Sequence, residues 1–290
     1  MKFITLLLIA IIWGSQFILN DEALNFINPF ELAFYRVLFG YIVLSIILLL
    51  KKEPRIQWNK HLILLLLALT FCESLIPFVL NGFGQQEVNS SVTSVLMAFI
   101  PLITIILERA INKRPISTYE ILGILIGFGG LVLLVSPDLL NSTGVRFLPI
   151  LLIFLGACSF SVALILMAKI PKQVSSLRFT RAILFCSVLF ALPLALIDNH
   201  INEIPEIVWY KLIALGSFAS GIVYLMYLHL VRSSGPTFAS YTNYLVPIMG
   251  VLLDVLLNND NFSMIQYMGF FTILIGLFLT NIQSFQKLIR

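Results

Sequence analysis

The sequence predicts an all-α polytopic membrane protein of about ten transmembrane helices, arranged as two inverted five-helix repeats. Three observations carry this. Apolar runs of roughly 20 residues, long enough to span a ~30 Å hydrocarbon core, recur along the whole chain. Basic residues sit mainly in the short connectors between those runs, and the second half of the chain repeats the first at a fixed offset. Composition agrees: 59% of the residues are hydrophobic and 11% charged. A soluble domain carries about 25% charged residues, so lipid is the expected solvent for this surface.

The spans read as residues 3–20, 30–50, 61–80, 89–108, 117–135, 148–169, 176–197, 208–229, 236–257 and 263–282. Lys2 before the first run resembles a secretory leader. That run lacks a small-x-small cleavage site and carries Trp13 and Gln16, so it is kept as a span. Polar connectors such as Lys51 to Arg55, Asn112 to Pro115 and Asn258 to Asn261 punctuate the rest. With the N-terminus inside, only Arg146 and Lys211 of the 18 Lys and Arg residues fall outside. Arg36, Arg178 and Arg181 lie in or at the edge of spans, and the others are inner. This bias places both termini in the cytoplasm, and the cell (inner) membrane is the expected location. A net charge of +4 dispersed over connectors is a topology signal and implies no nucleic-acid partner. Cys72, Cys158 and Cys186 lie inside apolar runs without metal-type spacing, so no disulfide, metal or cofactor is expected.

At an offset of 146, Ser94 pairs with Ser240, Pro101 with Pro247, Glu108 with Asp254, Ser117 with Ser263, Gly123 with Gly269 and Gly130 with Gly276. Arg36 matches Arg181 at 145. The units are residues 1–145 and 146–290. Each holds five spans, an odd number, so the second enters the membrane in the opposite sense. Inverted pairs of this kind build secondary transporters whose solute site lies near the midplane.

Trp13-Gly14-Ser15-Gln16-Phe17, the stretch Pro29 to Arg36, and Ala98 to Pro101 through Glu108 to Gly123 and Gly130 carry a family likeness. The last block recurs from Pro247 through Asp254 to Gly269 and Gly276. Together they resemble the drug/metabolite transporter superfamily, specifically its EamA-like ten-span permeases. The resemblance covers essentially the whole chain. It implies a 5+5 inverted-repeat fold and efflux or exchange of a metabolite, amino acid or drug through a central cavity. One departure is Gly156 to Phe160, where the second half lacks the Trp-Gly-Ser-Gln-Phe run.

Charged groups at bilayer depth cost at least ~2.5 kcal/mol on insertion scales and are expected to face a partner or a cavity. Glu73 lies about 18 Å from the inner surface, Gln16 about 20 Å and Arg36 about 21 Å, at 1.5 Å per helical residue. An Arg36–Glu73 pair with Gln16 beside it is therefore expected, either as a structural tie or as a proton or solute-amine site. Ser94 and Met97, with Asn243, Tyr241 and Tyr244 at helical spacing in the ninth span, are further cavity candidates, though small hydroxylated faces also serve helix packing. Trp13 and Tyr35 are candidate stacking surfaces or ordinary filler. Pro101 and Pro247 are hinges or fixed kinks. Glu108 and Asp254 stand at span ends as gate or loop contacts, and Arg181 is an inner counterpart of Arg36. The glycine faces of the fifth and tenth spans pack together or form a dimer surface.

The leading reading is a secondary transporter, a permease using alternating access, with proton coupling through Glu73 left open. Its partners are a small-molecule solute and the lipid bilayer, and it is a monomer or a homodimer. No Walker motif is present. The alternative, an intramembrane enzyme acting on a lipid or peptide, needs a nucleophile and base or a metal cluster, and neither HExxH nor paired Asp spacing occurs. The chain is read as no enzyme.

Overall fold

The computed structural model of the 290-residue chain describes residues 2–88, 93, 96–113, 117–141, 147–197, 201, 204–249, 263–265, 267–269, 271–276 and 279, the side chains of 131, 134, 135 and 137–141 excepted. Among these residues the fold is all helical, with no strand. In chain order the helices are α1 (Lys2–Leu24), α2 (Pro29–Leu50), α3 (Lys60–Gln85), α4 (Phe99–Asn112), α5 (Thr118–Asn141), α6 (Phe147–Ala168) and α7 (Ser176–Ala195). Then come α8 (Glu206–Ser234), α9 (Pro236–Ser240, continued after a turn at Tyr241 by residues 242–249) and α10 (Tyr267–Gly276). Six of them, α1, α2, α3, α6, α7 and α8, are long and apolar enough to cross a membrane.

Side chains fix several helix starts. Asn28 accepts from the amides of Phe30 and Glu31 while Glu31 accepts from the Asn28 amide, a capping box with Pro29 in the first turn. Asn59 caps α3 by accepting from the Leu62 amide, and Ser175 caps α7 by accepting from the Arg178 amide. At the ends of the bundle, Arg178 donates twice to the Glu53 carbonyl, and Arg232 donates to the carbonyls of Val174 and Pro171. These bonds hold the connectors against α7 and α8.

Large apolar side chains such as Ile4, Leu49, Leu64 and Leu196 point outward, and the helices meet at small residues. Apolar burial gains little when the solvent is itself hydrocarbon, so close backbone approach and hydrogen bonds hold helices together. A Cβ on Gly216 would fall 2.5 Å from Phe39 Cβ and 2.9 Å from the Arg36 carbonyl, and one on Gly221 2.6 Å from Val43 Cγ1. This crossing seats α8 on α2. The glycine faces of α5 and α10 pack against each other: a Cβ on Gly130 would lie 2.8 Å from the Gly269 carbonyl, and one on Gly276 2.6 Å from the Gly123 carbonyl.

Both α3 and α8 are wound as π-helix over one stretch, Thr70–Leu75 and Leu215–Ile222. Bonding from i to i+5 brings Gly216 and Gly221, five apart, toward one face. In α3 the cause of the disrupted ladder is visible. Ile76 donates back to the Phe71 carbonyl. The next residue is Pro77, which has no N–H to give either Cys72, five back, or Glu73, four back. Hydroxyls from other helices take these carbonyls instead. Ser159 Oγ donates to Cys72 O at 2.9 Å, and Tyr224 Oη to Glu73 O at 2.9 Å. Reciprocally, Trp13 Nε1 donates to Ala219 O, in the π stretch of α8, at 3.0 Å. Ser74 and Ser187 hydroxyls meet at 2.5 Å, tying α3 to α7.

Two outcomes follow. Replacing Gly216 by Leu overpacks the α2–α8 crossing and lowers thermal stability in detergent, by the ~1–3 kcal/mol typical of such strain or more. Gly129→Leu, where a Cβ meets nothing within 4 Å, is tolerated. Tyr224→Phe costs about 0.6–1.7 kcal/mol, the range for polar contacts in bilayers. That cost shrinks in a Pro77→Ala background, which restores an N–H near the orphaned carbonyl, and a double-mutant cycle reads the coupling.

Candidate functional site

Between these helices lies a small cavity. Its walls are Trp13, Gln16 and Phe17 from α1, Phe78 from α3, Met97 and Ile100 at the start of α4, Phe160 from α6, Tyr224 and Tyr227 from α8, and Asn243 and Val246 from the second part of α9. Trp13 stands edge-on to Tyr227 with ring centroids 4.6 Å apart, and Phe78 lies 6.0 Å from Tyr224. Aromatic surface dominates, with Gln16, Asn243 and the two phenols as polar points. Three of the lining pairs, Phe78 with Tyr224, Met97 with Asn243 and Ile100 with Val246, stand 146 residues apart. This is the offset at which the sequence matches itself.

Arg36 sits immediately behind this wall, 3% exposed. Its Nη2 donates to Gln16 Oε1 at 2.7 Å, Nη1 to Asn20 Oδ1 at 3.3 Å and Nε to Ser220 Oγ at 3.3 Å. The guanidinium lies 4.0 Å over the Phe78 ring. The polar chain continues outward: Asn20 donates to Gln85 (3.0 Å), and Gln85 to Asp21 (3.2 Å). Arg36 thus joins α1, α2 and α8, and the same chain brings in the end of α3.

The expected Arg36–Glu73 pair does not form. Glu73 is fully buried, and its carboxyl oxygens have no hydrogen-bond partner among the described residues. The depths agree, but equal depth does not fix rotation about the helix axis. Glu73 leaves α3 from the π stretch, where side-chain directions depart from those of an unbroken α-helix. It stands close enough to Tyr224 and Tyr227 to interact electrostatically with both. A buried carboxyl without a partner is costly and marks a place where chemistry is expected.

The other candidates separate. Trp13, Gln16, Met97 and Asn243 line the cavity. Tyr35 does not: it packs against Trp209 at 5.0 Å, between α2 and α8. Tyr241 is buried against Phe238, and Tyr244 donates to the Ile124 carbonyl at 3.3 Å beside Gly127, so both serve packing. Arg181 is held on α2 by Ser45 Oγ and Tyr41 Oη, both at 2.9 Å. Glu108 accepts from the Thr237 amide at 3.2 Å and from its hydroxyl, closing the start of α9 onto the end of α4. Pro101 and Pro247 have no N–H for the carbonyls of Met97 and Asn243, four residues back, so any bend they make falls beside the cavity. Ser94 and Asp254 lie outside the described residues.

Sequence reading missed Phe17, Phe78, Phe160, Tyr224 and Tyr227. Aromatics are ordinary in such spans, so composition hides them. The repeat register was the usable signal, since Tyr224 is the 146-residue counterpart of Phe78.

Comparison with known proteins agrees with this architecture. The EamA-like transporter family matches residues 1–136 and 147–282. The inner membrane transporter YedA of Escherichia coli (strain K12) is 26% identical over 287 residues, covering 95% of this chain and 89% of that protein. An S-adenosylmethionine/S-adenosylhomocysteine transporter of Chlamydia trachomatis serovar L2 is 26% identical over 271 residues, covering 87% of this chain and 80% of that one. A solved crystal structure superposes with a TM-score of 0.73 at 16% identity over 97% of this chain and 96% of the other, a likeness of fold. With the apolar helices and the family matching both halves, the chain is a multi-pass membrane protein that belongs to the EamA-like transporter family.

Proposed function

We propose that this protein is a secondary transporter of ten spans in two inverted five-helix repeats, with both termini on the cytoplasmic side of the cell's inner membrane. It moves a small solute through the central cavity by alternating access and performs no chemistry on it. The observation that carries this reading is the cavity itself, enclosed by both halves and lined by residues 146 apart. A binding site on a pseudo-twofold axis is what rocking halves expose to one side and then the other.

The cavity chemistry suits a solute with a flat or apolar body that stacks on Trp13, Phe78 and Tyr227, with Gln16 and Asn243 orienting its polar edge. The relative named for S-adenosylmethionine and S-adenosylhomocysteine, which carry an adenine ring, makes nucleoside-bearing metabolites one class to screen. Glu73, behind the lining residue Tyr224, is the candidate coupling group, a carboxyl able to take up or release a proton as the nearby cavity wets and dries. Pro101 and Pro247 are the candidate hinges, and the Glu108 clamp on Thr237 the candidate closure at one end.

Solute exchange in proteoliposomes checks this. Asn243→Trp, which fills the cavity, and Glu73→Gln are each expected to cut exchange of an identified solute by about tenfold or more, equivalent to ~1.4 kcal/mol. Glu206→Gln, whose side chain accepts from Tyr210 on an exposed face, is expected to leave exchange unchanged. Unimpaired exchange in Asn243→Trp contradicts the cavity as the path.

A further inference from the structure

Among the described residues the charge on Arg36 has no counter-ion. Its partners are the amides of Gln16 and Asn20, the hydroxyl of Ser220 and the ring of Phe78, all neutral. Among the described residues no carboxylate pairs with it, and the nearest candidate by depth, Glu73, makes no bond to it. A buried charge without an opposite charge is costly, and charged side chains at bilayer depth usually pair with one another or with backbone carbonyls, neither of which Arg36 does among the described residues. Neutral dipoles orient the guanidinium without cancelling its charge.

Two further features connect this charge to the cavity. Gln16, the closest partner at 2.7 Å, and Phe78, the ring beneath the guanidinium, both line the cavity wall. Two lining side chains, an amide and a ring, thus lie directly against the cation and connect it to the cavity. A guanidinium has five N–H donors. Three are spent on Gln16, Asn20 and Ser220, one from each nitrogen, so Nη1 and Nη2 each keep one N–H for a further acceptor such as a carboxylate. The lining is otherwise mostly aromatic, with too few donors for a multiply charged phosphate.

Resting on the transport reading above, we propose that Arg36 is the carboxylate-recognition point of the solute site: Gln16 swings aside, and the solute's carboxylate takes its place on the guanidinium while its apolar body stacks in the aromatic cavity. The substrate class is a monocarboxylate with an aromatic or otherwise bulky apolar body. The charge that bilayer depth makes costly is then neutralised only when cargo is present.

The test uses three probes that share one ring and differ in charge: phenylacetate, phenylacetamide and phenethylamine. Binding to the purified full chain is read from the part of the tryptophan fluorescence change that Trp13→Phe removes, which confines the signal to the cavity. Phenylacetate is expected to bind about tenfold more tightly than the amide or the amine. In Arg36→Gln its affinity falls to that of the amide, which itself is unchanged, and Arg36→Lys keeps part of the preference. Should Arg36→Gln not fold, the three-way comparison in the native chain decides alone. Equal affinities, preference for the amine, or no phenylacetate binding at millimolar concentration overturns the assignment. If the amide binds without any preference for the carboxylate, the anion assignment falls while the cavity as transport path stands. That path fails separately, if Asn243→Trp leaves solute exchange intact.

Discussion

In hydrocarbon every backbone carbonyl must find a donor within the protein, and the interior of this molecule is organised around carbonyls in the π stretches of α3 and α8 that accept from side chains of the other half. Pro77 withholds an amide from Cys72 and Glu73, and the π winding of both helices moves the hydrogen-bond ladder out of step. The donors that fill the gaps come from the other half of the chain: Ser159 and Tyr224 onto α3, Trp13 onto α8. A local defect in each half thereby becomes a hydrogen-bonded seam between the halves. Trp13 and Tyr224 make these bonds and also face the cavity, so the seam that holds the halves together also shapes the solute space.

The seam is chemically unequal. Trp13 stands 146 residues from Ser159, Phe78 from Tyr224, and Met97 from Asn243. The first half supplies the larger apolar surfaces, and the second supplies hydroxyls and an amide. On the transport proposal, a solute in such a cavity would have one preferred orientation relative to the halves, and equivalent backbone motions would not present it identically to the two sides of the membrane. The buried charges add to this inequality. Arg36 is anchored at the end of α1 through Asn20 and Gln85, whereas Arg181, its counterpart, is tied to the side of α2 through Tyr41 and Ser45.

Helicity, the apolar spans and the family were legible in the sequence because bilayer thickness imposes span length and the repeat imposes a register on prolines, glycines and carboxylates that chance does not produce. Depth was legible too: rise per residue placed Gln16 and Arg36 together, and they bond. Rotation was not. The π stretches, one of which carries Glu73, leave no strong sequence mark beyond Pro77, and Glu73 makes no bond to Arg36. The same limit explains Tyr241 and Tyr244. Both have the right polarity for a cavity, but a turn at Tyr241 sends Tyr244 toward Gly127 and leaves Asn243 on the lining. The packing of α5 on α10 was left open by the sequence, since a glycine face reads the same whichever partner covers it.

The central claim is that the two halves enclose one aqueous solute site at which counterpart residues meet. Single cysteines at Met97 and Asn243, in a background where Cys72, Cys158 and Cys186 are replaced, test it most directly when labelled with a membrane-impermeant thiol reagent and with a lipid-soluble one. The account predicts that both positions react with the aqueous reagent and that a transported solute protects both together. Labelling of either position by the lipid-soluble reagent alone, or protection of one without the other, contradicts it.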